Sequence, residues 1–385
     1  MVRGESLGGK SRATLPFATR SCHTRPVRWR RKVFGDAPWS SPEAALAFVD
    51  PRFPQAFSVD TIADLLSVAA GEVVETTRSL DEEQFRLLMN HRVVPLIPES
   101  WKIPTNYRDE KRKLALWSME LEAASAEAIG ILQAAGIEPI VLKGMATSYL
   151  DYARPELRHS GDLDILLKNE ELAPACKRLQ GQGFRRVNPP NVEPELGKGT
   201  ALVGAGGIEV DLHTRLLVNS RNCSAKMIEA AVQVPPLGIL ALPVEVRLVH
   251  AACHLFYGPP EHRRLSSLAD VSAILSTRSE DLPSKARSAA RELDLEAATA
   301  GGLAAETALF GRDSFDLNAW TQPQGLLYLA HARSTRLRLA EPFYVASTFD
   351  GLRAPAKYIG RKVMPRREFL RERGGLIDHL RGPRR

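Results

Sequence analysis

Apolar residues recur at helical spacing on both sides of a central segment, before about residue 135 and after Pro243. Ser41-Pro42-Glu43 is typical of a helix start, with a capping serine and a proline in the first turn. In the N-terminal half, the helical period predicts helices at 58–70, 80–90 and 107–135. After Pro243 it predicts helices at 243–257, 263–277, 283–299, 302–310 and 322–334.

Between these helical regions the pattern changes to short apolar runs bounded by glycine and proline. These runs predict strands at 140–142, 162–167, 183–187, 201–203 and 208–212, with helices at 144–152 and 170–181. The last two strands form a predicted hairpin around a glycine-rich turn, 204–207. The predicted fold class is therefore α+β: a small β-sheet core at 136–217, an N-terminal helical region at 41–135 and a C-terminal helical domain at 218–350.

The basic charge of the chain lies at its two ends. Residues 1–36 carry nine Lys or Arg and two acids (9 − 2 = +7), and residues 353–385 carry eleven and three (11 − 3 = +8). Since the whole chain is +7, residues 37–352 carry 7 − 7 − 8 = −8. We predict a basic flexible arm at 1–40 and a basic tail at 351–385. RNA binding through these ends, or an organelle transit peptide at the start, remains an alternative.

Cysteine usage and hydropathy place the chain in a broad class. The four cysteines form no CxxC pair, which argues against a zinc module and against a disulfide framework. Reduced thiols indicate a cytoplasmic protein. No run of about 18 apolar residues occurs, so no membrane span is predicted.

Asp162 and Asp164 alternate with Leu163 and Ile165 on the second predicted strand. Residues two apart on a strand point to the same face, so both carboxylates project together while the apolar pair faces the core. Two carboxylates on one rigid face repel each other unless a cation lies between them. Mg²⁺ prefers oxygen ligands of this kind. The pair is therefore the leading candidate for a metal site.

A third acid is predicted on the later hairpin. Glu209, Asp211 and His213 share one strand face by the same alternation. Three carboxylates on neighbouring strands suit phosphoryl chemistry with two metal ions, which clamp the attacking and leaving oxygens. Asp211 could also accept the proton of an attacking hydroxyl.

The candidate anion site is Lys143-Gly144, at a predicted strand-to-helix junction. Backbone N–H groups at a helix N-terminus bind phosphate, and glycine allows close approach. Lys143 adds a positive charge. Arg158, four residues before Asp162, could reach the same anion.

Two other constellations compete. His250 and His254 lie at i, i+4, with His262 and Asp270 nearby, which would suit a zinc or di-metal hydrolase. No glutamate follows the first histidine, so the zincin pattern is absent, and helix packing or cleft lining is the favoured interpretation. A set of basic residues could bind an anionic acceptor or form a solvated face. The set is Arg263, Arg264, Lys357, Arg361, Lys362, Arg366 and Arg367.

Together these motifs resemble a known family. The segments that carry the resemblance are Leu142-Lys143-Gly144, Tyr149, Arg158, Gly161 to Leu167 and Val210 to His213. They are similar to the bacterial uncharacterised nucleotidyltransferase family, a branch of the polymerase-β-like nucleotidyltransferase superfamily. The resemblance is clearest from about 138 to 217. It continues more weakly through Val249-His250, Arg264 to Leu275 and Met364-Pro365-Arg366.

The resemblance implies a mixed β-sheet, Mg²⁺, and transfer of a nucleoside monophosphate from an NTP such as ATP to an acceptor. Asp162, Asp164 and Asp211 would hold the metal, and Lys143-Gly144 would form the triphosphate-binding turn. Most of the superfamily has Gly-Ser or Gly-Gly at that turn, so phosphate binding would pass to Lys143 or to backbone amides. The acceptor is a small molecule, a protein or an RNA. A non-catalytic binding or assembly protein of the same fold is the alternative from another class.

Overall fold

A computed structural model describes seven stretches of the chain: 41–187, 199–217, 220–235, 237–257, 263–276, 279–311 and 353–363. Three predictions from the sequence lie outside them. These are the basic arm at 1–40, the helix at 322–334 and all of the basic tail except residues 353–363.

Thirteen α-helices lie within the described stretches. They are α1 (Pro42–Val49), α2 (Phe53–Ala56), α3 (Val59–Ser67), α4 (Glu82–Asn90), α5 (Glu110–Gln133), α6 (Lys143–Leu150), α7 (Asn169–Gly181), α8 (Ala225–Glu229), α9 (Val244–Tyr257), α10 (Leu265–Ser276), α11 (Leu282–Glu292), α12 (Glu296–Phe310) and α13 (Arg353–Val363). Ser41 caps α1 by accepting a hydrogen bond from the Ala44 amide, as the sequence predicts.

The described strands form one seven-stranded sheet in the order β3-β4-β5-β2-β1-β7-β6. They are β1 (Ile140–Val141), β2 (Leu163–Leu166), β3 (Arg185–Arg186), β4 (Gly199–Val203), β5 (Glu209–His213), β6 (Val232–Val234) and β7 (Ile239–Ala241). The β2–β5 and β1–β7 pairs are parallel, and the other four pairs are antiparallel. The predicted α+β class, with a mixed sheet between helical regions, is confirmed.

The sequence pattern differs from the structure at two places. The β6–β7 hairpin was not predicted, and it extends the sheet beyond residue 217 to Ala241. The predicted helix break near residues 300 and 301 is wrong, because Gly301 and Gly302 lie inside α12. A Cβ atom on Gly302 would lie 2.3 Å from the carbonyl oxygen of Ala252. The two glycines therefore permit close packing of α12 on α9.

Two apolar clusters hold the described elements together. One lies between the sheet and helices α5, α6 and α7, and it contains Leu163, Ile165, Val210 and Leu212, all fully buried. The other joins the N-terminal helices α1 to α4 to the C-terminal helices α9 to α12. Because the apolar side chains of β2 and β5 face the first cluster, their alternate residues face the opposite side of the sheet.

Two buried ion pairs connect the segment after α6 to the C-terminal helices. Asp151 accepts hydrogen bonds from Arg247 Nη2 and Nε at 2.6 and 2.9 Å. Asp270 on α10 accepts them from Arg158 Nε and Nη2 at 2.6 and 2.9 Å, and from the hydroxyl of Tyr152 at 2.8 Å. These bidentate contacts fix the position of the sheet relative to α9 and α10.

Of the four cysteines, the three within the described stretches are free thiols: Cys176, Cys223 and Cys253. Burial raises the pKa of the Cys223 and Cys253 thiols to about 12, so neither is a reactive thiolate. Among the helices described, none combines the length and apolar character that crossing a bilayer requires.

Candidate active site

The parallel register of β2 and β5 places two predicted site residues side by side. Asp164 pairs with Asp211, and Leu163 pairs with Val210. Since apolar residues of both strands are buried in the core beneath, the two carboxylates share the opposite face. Asp164 is nearly inaccessible, with 4% of its side chain exposed, whereas 26% of Asp211 is exposed.

His213, at the end of β5, connects these carboxylates. Its Nε2 atom lies 2.7 Å from Asp164 Oδ1 and 2.9 Å from Asp211 Oδ2, and its side chain is fully buried. Carboxylate oxygens accept hydrogen bonds, so Nε2 must carry the proton and donate it. Nδ1 is buried without a hydrogen-bond partner, which a lone pair tolerates better than an N–H group does. His213 therefore holds the two acids at a fixed separation.

Asp162 lies at the start of β2 and is more open, with 42% of its side chain exposed. Partial burial is the largest cause that raises the pKa of Asp162, and the negative charges of Asp164 and Asp211 raise it further. The positive charges of Lys143 and Arg92 oppose these effects. The pKa of Glu209 is raised for the same reasons, burial and the nearby aspartates. We call Asp162, Asp164, Glu209 and Asp211 the acidic face, and its mutual repulsion favours a bound cation.

Lys143 is the first residue of α6 and contacts the acidic face directly. Its Nζ atom lies 2.5 Å from Asp164 Oδ1. Burial would lower the pKa of Lys143, but Asp164, Asp162 and Asp211 together raise it above its ordinary value. Its backbone has φ = +45°, a left-handed conformation that non-glycine residues rarely adopt. Such strain is concentrated at functional sites, where surrounding structure holds it in place.

Gly144 follows in the first turn of α6 and packs against the loop that leads into β2. A Cβ atom here would lie 2.0 Å from Ser160 Oγ and 3.0 Å from Ser160 Cβ. The same loop is held on its other side by Trp117, whose Nε1 donates to the carbonyl oxygen of Ser160 at 3.1 Å. The absence of a side chain at Gly144 therefore determines how closely Asp162 approaches the N-terminus of α6.

Arg158 lies at the same site, but its guanidinium group is engaged. It binds Asp270 through two nitrogens and donates a third hydrogen bond to the carbonyl oxygen of His159. Burial would lower its pKa, yet Asp270 raises the pKa above its ordinary value. The charge of Arg158 therefore positions α10, and its predicted role in nucleotide binding stays a prediction.

One cleft joins these residues to the C-terminal helices. Its empty volume is about 810 Å³ when the space open to solvent at its mouth is included. Five of the six predicted site residues line it: Lys143, Gly144, Arg158, Asp162 and Asp164. Asp211 is not part of the lining and lies directly behind it, beside Asp164.

The cleft lining also contains residues outside the six predicted site residues. We call Arg92, His250, His254, Arg264, Ser266 and Ser267 the basic wall. The sequence indicated His250 and His254 as cleft-lining residues and Arg264 as a candidate for binding an anionic acceptor, whereas it gave no signal for Arg92, Ser266 and Ser267. Arg92 comes from the loop after α4, and its Nη1 lies 4.0 Å from Asp162 Oδ1. Its backbone φ of +59° is unusual for a non-glycine residue, but a sequence does not reveal backbone angles.

His250 and His254 do not form a metal centre in the described part of the chain. The single group of potential metal ligands found there is Asp164, Asp211 and His213. His254 Nδ1 instead lies 3.4 Å from Ser267 Oγ, and both histidines line the cleft. This agrees with the favoured interpretation of the pair as cleft-lining residues. His262, which the zinc hypothesis also used, lies outside the described residues.

The acidic face fits a divalent cation. Asp164, Asp211 and His213 lie close enough for one atom of each to be within 4.8 Å of the other two, and with Nε2 of His213 protonated the ligands to a cation would be the carboxylate oxygens. Burial, and after it the charges of neighbouring carboxylates, raise the pKa values of Asp162 and Glu209, and a bound cation would offset that repulsion. Carboxylate oxygens in this arrangement suit Mg²⁺ or Mn²⁺.

A mixed sheet that brings two carboxylates together near the N-terminus of a helix is an arrangement suited to metal-assisted phosphoryl transfer. The family model described as uncharacterised nucleotidyltransferase matches residues 82–311. That range exceeds half of the chain, so the chain belongs to this family. It includes both the acidic face and the basic wall. Membership supports nucleotidyl transfer as the general reaction class. No curated protein matches the chain significantly.

Gly144→Ala tests the packing of the first turn of α6 against Ser160. The added Cβ meets Ser160, so we expect unfolding free energy to fall by about 1–3 kcal/mol, as for other overpacked sites. Gly130→Ala is the matched control, since a Cβ at this helical position in α5 meets nothing within 4 Å. That control should gain up to about 1 kcal/mol. Urea unfolding measures both, and equal effects would contradict the proposed packing.

His213→Leu and His213→Gln test the bridge between the carboxylates. Leucine removes the donor, and we expect divalent-cation affinity to fall by about 10- to 100-fold, as when outer-shell partners of metal ligands are lost. The amide nitrogen of glutamine can replace Nε2 as a donor, so this variant should recover much of the loss. Calorimetric titration with Mn²⁺ compares the two. If both variants bind Mn²⁺ like wild type, His213 has no positioning role.

Proposed function

We propose that the protein is a Mg²⁺-dependent nucleotidyltransferase of the polymerase-β-like superfamily that moves a nucleoside monophosphate from an NTP to an acceptor hydroxyl. The observation that carries the proposal is the placement of Asp162 and Asp164 in one cleft with Lys143-Gly144, with Asp211 beside Asp164. In this proposal the protein acts in the cytoplasm, in line with cysteines that are scattered along the sequence and, in the described stretches, form no disulfide.

The donor phosphates would lie at the N-terminus of α6. Backbone N–H groups in the first turn of a helix have no intrahelical partner and bind anions. Gly144 lies in this first turn, and its missing side chain lets Ser160 pack directly against it. Lys143 supplies the positive charge, and its contact with Asp164 keeps the ammonium group within the cleft. Arg158 would act here through Asp270, by fixing the position of α10.

The carboxylates would bind the metal ion and accept a proton at the reacting centre. Asp162, Asp164 and Asp211 would hold Mg²⁺, which when bound neutralises charge on the donor phosphates and on the leaving pyrophosphate. An acceptor hydroxyl attacks the α-phosphorus in line, forming a new O–P bond as the bond to the β-phosphate oxygen breaks. Asp211 would accept the hydroxyl proton, a role supported by its partly exposed side chain and its contact with His213.

A second candidate is a non-catalytic binding protein of the same fold. The ion pair of Lys143 with Asp164 favours it, because a lysine ammonium already neutralises this buried carboxylate of the acidic face. RNA binding through the basic ends has less support. Helix α13, the only described part of the C-terminal basic tail, buries Tyr358 to 1% exposure, so that ring is not a stacking surface.

The assay that tests the proposal combines the full chain with Mg²⁺ and each of the four NTPs. Candidate acceptors are small alcohols, proteins and RNA ends, and the readout is pyrophosphate release. We expect Mg²⁺-dependent release from wild type. Asp162→Asn and Asp164→Asn should reduce it by at least about 1000-fold, because ligands of the reacting centre stabilise the transition state.

Glu127→Gln is the matched control, since this acid is exposed on α5 and its loss should leave turnover unchanged. Near-normal turnover in either aspartate variant would refute the metal assignment. If wild type neither releases pyrophosphate nor binds any NTP with Mg²⁺, the protein is not a nucleotidyltransferase.

A further inference from the structure

The ammonium group of Lys143 lies against the acidic face, where a bound cation would lie. Its Nζ atom is 2.5 Å from Oδ1 of Asp164, and the same oxygen is 2.7 Å from Nε2 of His213. Burial would lower the pKa of Lys143, but the three aspartates of the acidic face raise it. The lysine therefore neutralises part of the charge of the same carboxylates that would hold a metal ion in the proposed function.

A divalent cation and this ammonium group compete for Asp164. Both need an oxygen of that carboxylate, and two positive charges held against one carboxylate repel each other. His213 does not compete in this way. Its Nδ1 atom is buried without a hydrogen-bond partner, so the ring donates through Nε2 as a neutral imidazole and leaves the charge of Asp164 in place. Of these two donors to Asp164 Oδ1, Lys143 is the one that a metal ion has to displace.

The backbone around Lys143 is fixed, whereas its side chain is free to turn. The Leu142 amide donates to the carbonyl oxygen of Asp164 at 2.9 Å. The carbonyl oxygen of Lys143 accepts from Thr147 Oγ1 at 3.0 Å. The lysine side chain is 17% exposed and lines the cleft, whereas the side chain of His213 is fully buried. Since lysine carries a compact charge on a flexible stem, its ammonium group can leave Asp164 for the cleft without a shift of β1 or α6.

We propose that Lys143 is a displaceable counter-ion, which neutralises Asp164 in the metal-free chain and releases that carboxylate to a divalent cation. The released ammonium group then lies in the cleft near the N-terminus of α6, where it binds the donor phosphates. This second step rests on the proposed function, whereas the competition for Asp164 does not. Lys143 thus weakens the binding of a metal ion alone and strengthens the binding of a metal-bound nucleotide.

Lys143→Met tests the counter-ion, because methionine keeps most of the length of the side chain and removes its charge. The full chain is titrated with Mn²⁺ by calorimetry in the absence of nucleotide. We expect the variant to bind Mn²⁺ about tenfold or more tightly than wild type, since the metal ion no longer has to displace an ammonium group. In the presence of Mn²⁺, the variant should bind a non-hydrolysable NTP analogue about tenfold or more weakly, since it loses a charge-assisted hydrogen bond to phosphate.

Lys285→Met is the matched control for the loss of one lysine charge. Lys285 Nζ lies 2.6 Å from Asp281 Oδ2 in an exposed ion pair at the start of α11, outside the cleft lining. The control therefore breaks an ion pair of similar length and should bind both Mn²⁺ and the analogue like wild type.

Amine labelling of the wild-type chain gives an independent measurement if Lys143→Met unfolds. The chain is treated with an acetylating reagent with and without Mg²⁺, and mass spectrometry measures the modification of each lysine. Mg²⁺ should raise the labelling rate of Lys143 severalfold, because its ammonium group leaves a buried ion pair for the open cleft. Lys111 is the internal control. It is half-buried, its Nζ donates to the carbonyl oxygen of Ile97 at 2.7 Å, and it lies outside the cleft lining, so its rate should not change.

Mn²⁺ binding by Lys143→Met that is equal to wild type or weaker would overturn the displaceable counter-ion, as would a labelling rate of Lys143 that Mg²⁺ leaves unchanged. Tighter Mn²⁺ binding with unchanged affinity for the analogue would retain the counter-ion and refute its transfer to phosphate. None of these measurements depends on turnover. A chain in which Lys143→Met binds Mn²⁺ more tightly, but whose wild type releases no pyrophosphate, would refute the enzyme and retain the counter-ion.

Discussion

The parallel pairing of β2 with β5 places Asp164 beside Asp211 over an apolar core, and the resulting negative charge has to be balanced by the rest of the cleft. Lys143 adopts a left-handed backbone conformation at the start of α6, and its ammonium group donates a hydrogen bond to Asp164. His213 donates to Asp164 from the end of β5, and its Nε2 atom lies 2.9 Å from Asp211 Oδ2. Arg92 reaches Asp162 from the N-terminal region. Each of these groups supplies positive charge or hydrogen-bond donors to a face that the strand register makes acidic.

The sequence shows this face well because strand alternation is a local property. Asp162 and Asp164 could be assigned to one side of β2 from the buried Leu163 and Ile165 alone. Long-range partners could not be found this way. Arg158 looked available for an anion, whereas Asp270, its actual partner, lies 112 residues further along the chain. The face of His213 was predictable, but its bridging role depends on the register between two strands.

The same limit applies to the fold. The helices around the sheet follow from their apolar period, while the β6–β7 hairpin consists of two three-residue strands too short to give a pattern. Gly301 and Gly302 resemble a helix break in sequence, yet they serve close contact between α12 and α9. The basic wall combines the loop after α4 with α9 and the start of α10. The apolar cluster that joins N-terminal and C-terminal helices brings those segments together, and His91 accepts hydrogen bonds from the amides of Leu265 and Ser266.

The cleft thus brings the carboxylates of the acidic face, which favour a cation, close to the guanidinium group of Arg92. Belonging to a nucleotidyltransferase family gives the general chemistry. The contact of His213 with Asp164 joins β5 to β2, and the contact of Arg92 with Asp162 joins the loop after α4 to the start of β2. Neither contact would survive a loss of the packing between those elements.

The most direct measurement is the thermal stability of wild type and Asp162→Asn with and without Mg²⁺. The raised pKa of Asp162 means that its ionised form costs stability, a penalty that is absent below its unfolded pKa and complete above its folded one. At pH 7 without metal, Asp162→Asn should therefore melt at a higher temperature than wild type. Mg²⁺ should stabilise wild type more than the variant. A variant that is less stable without metal, or that gains as much from Mg²⁺ as wild type does, would contradict the account of the acidic face.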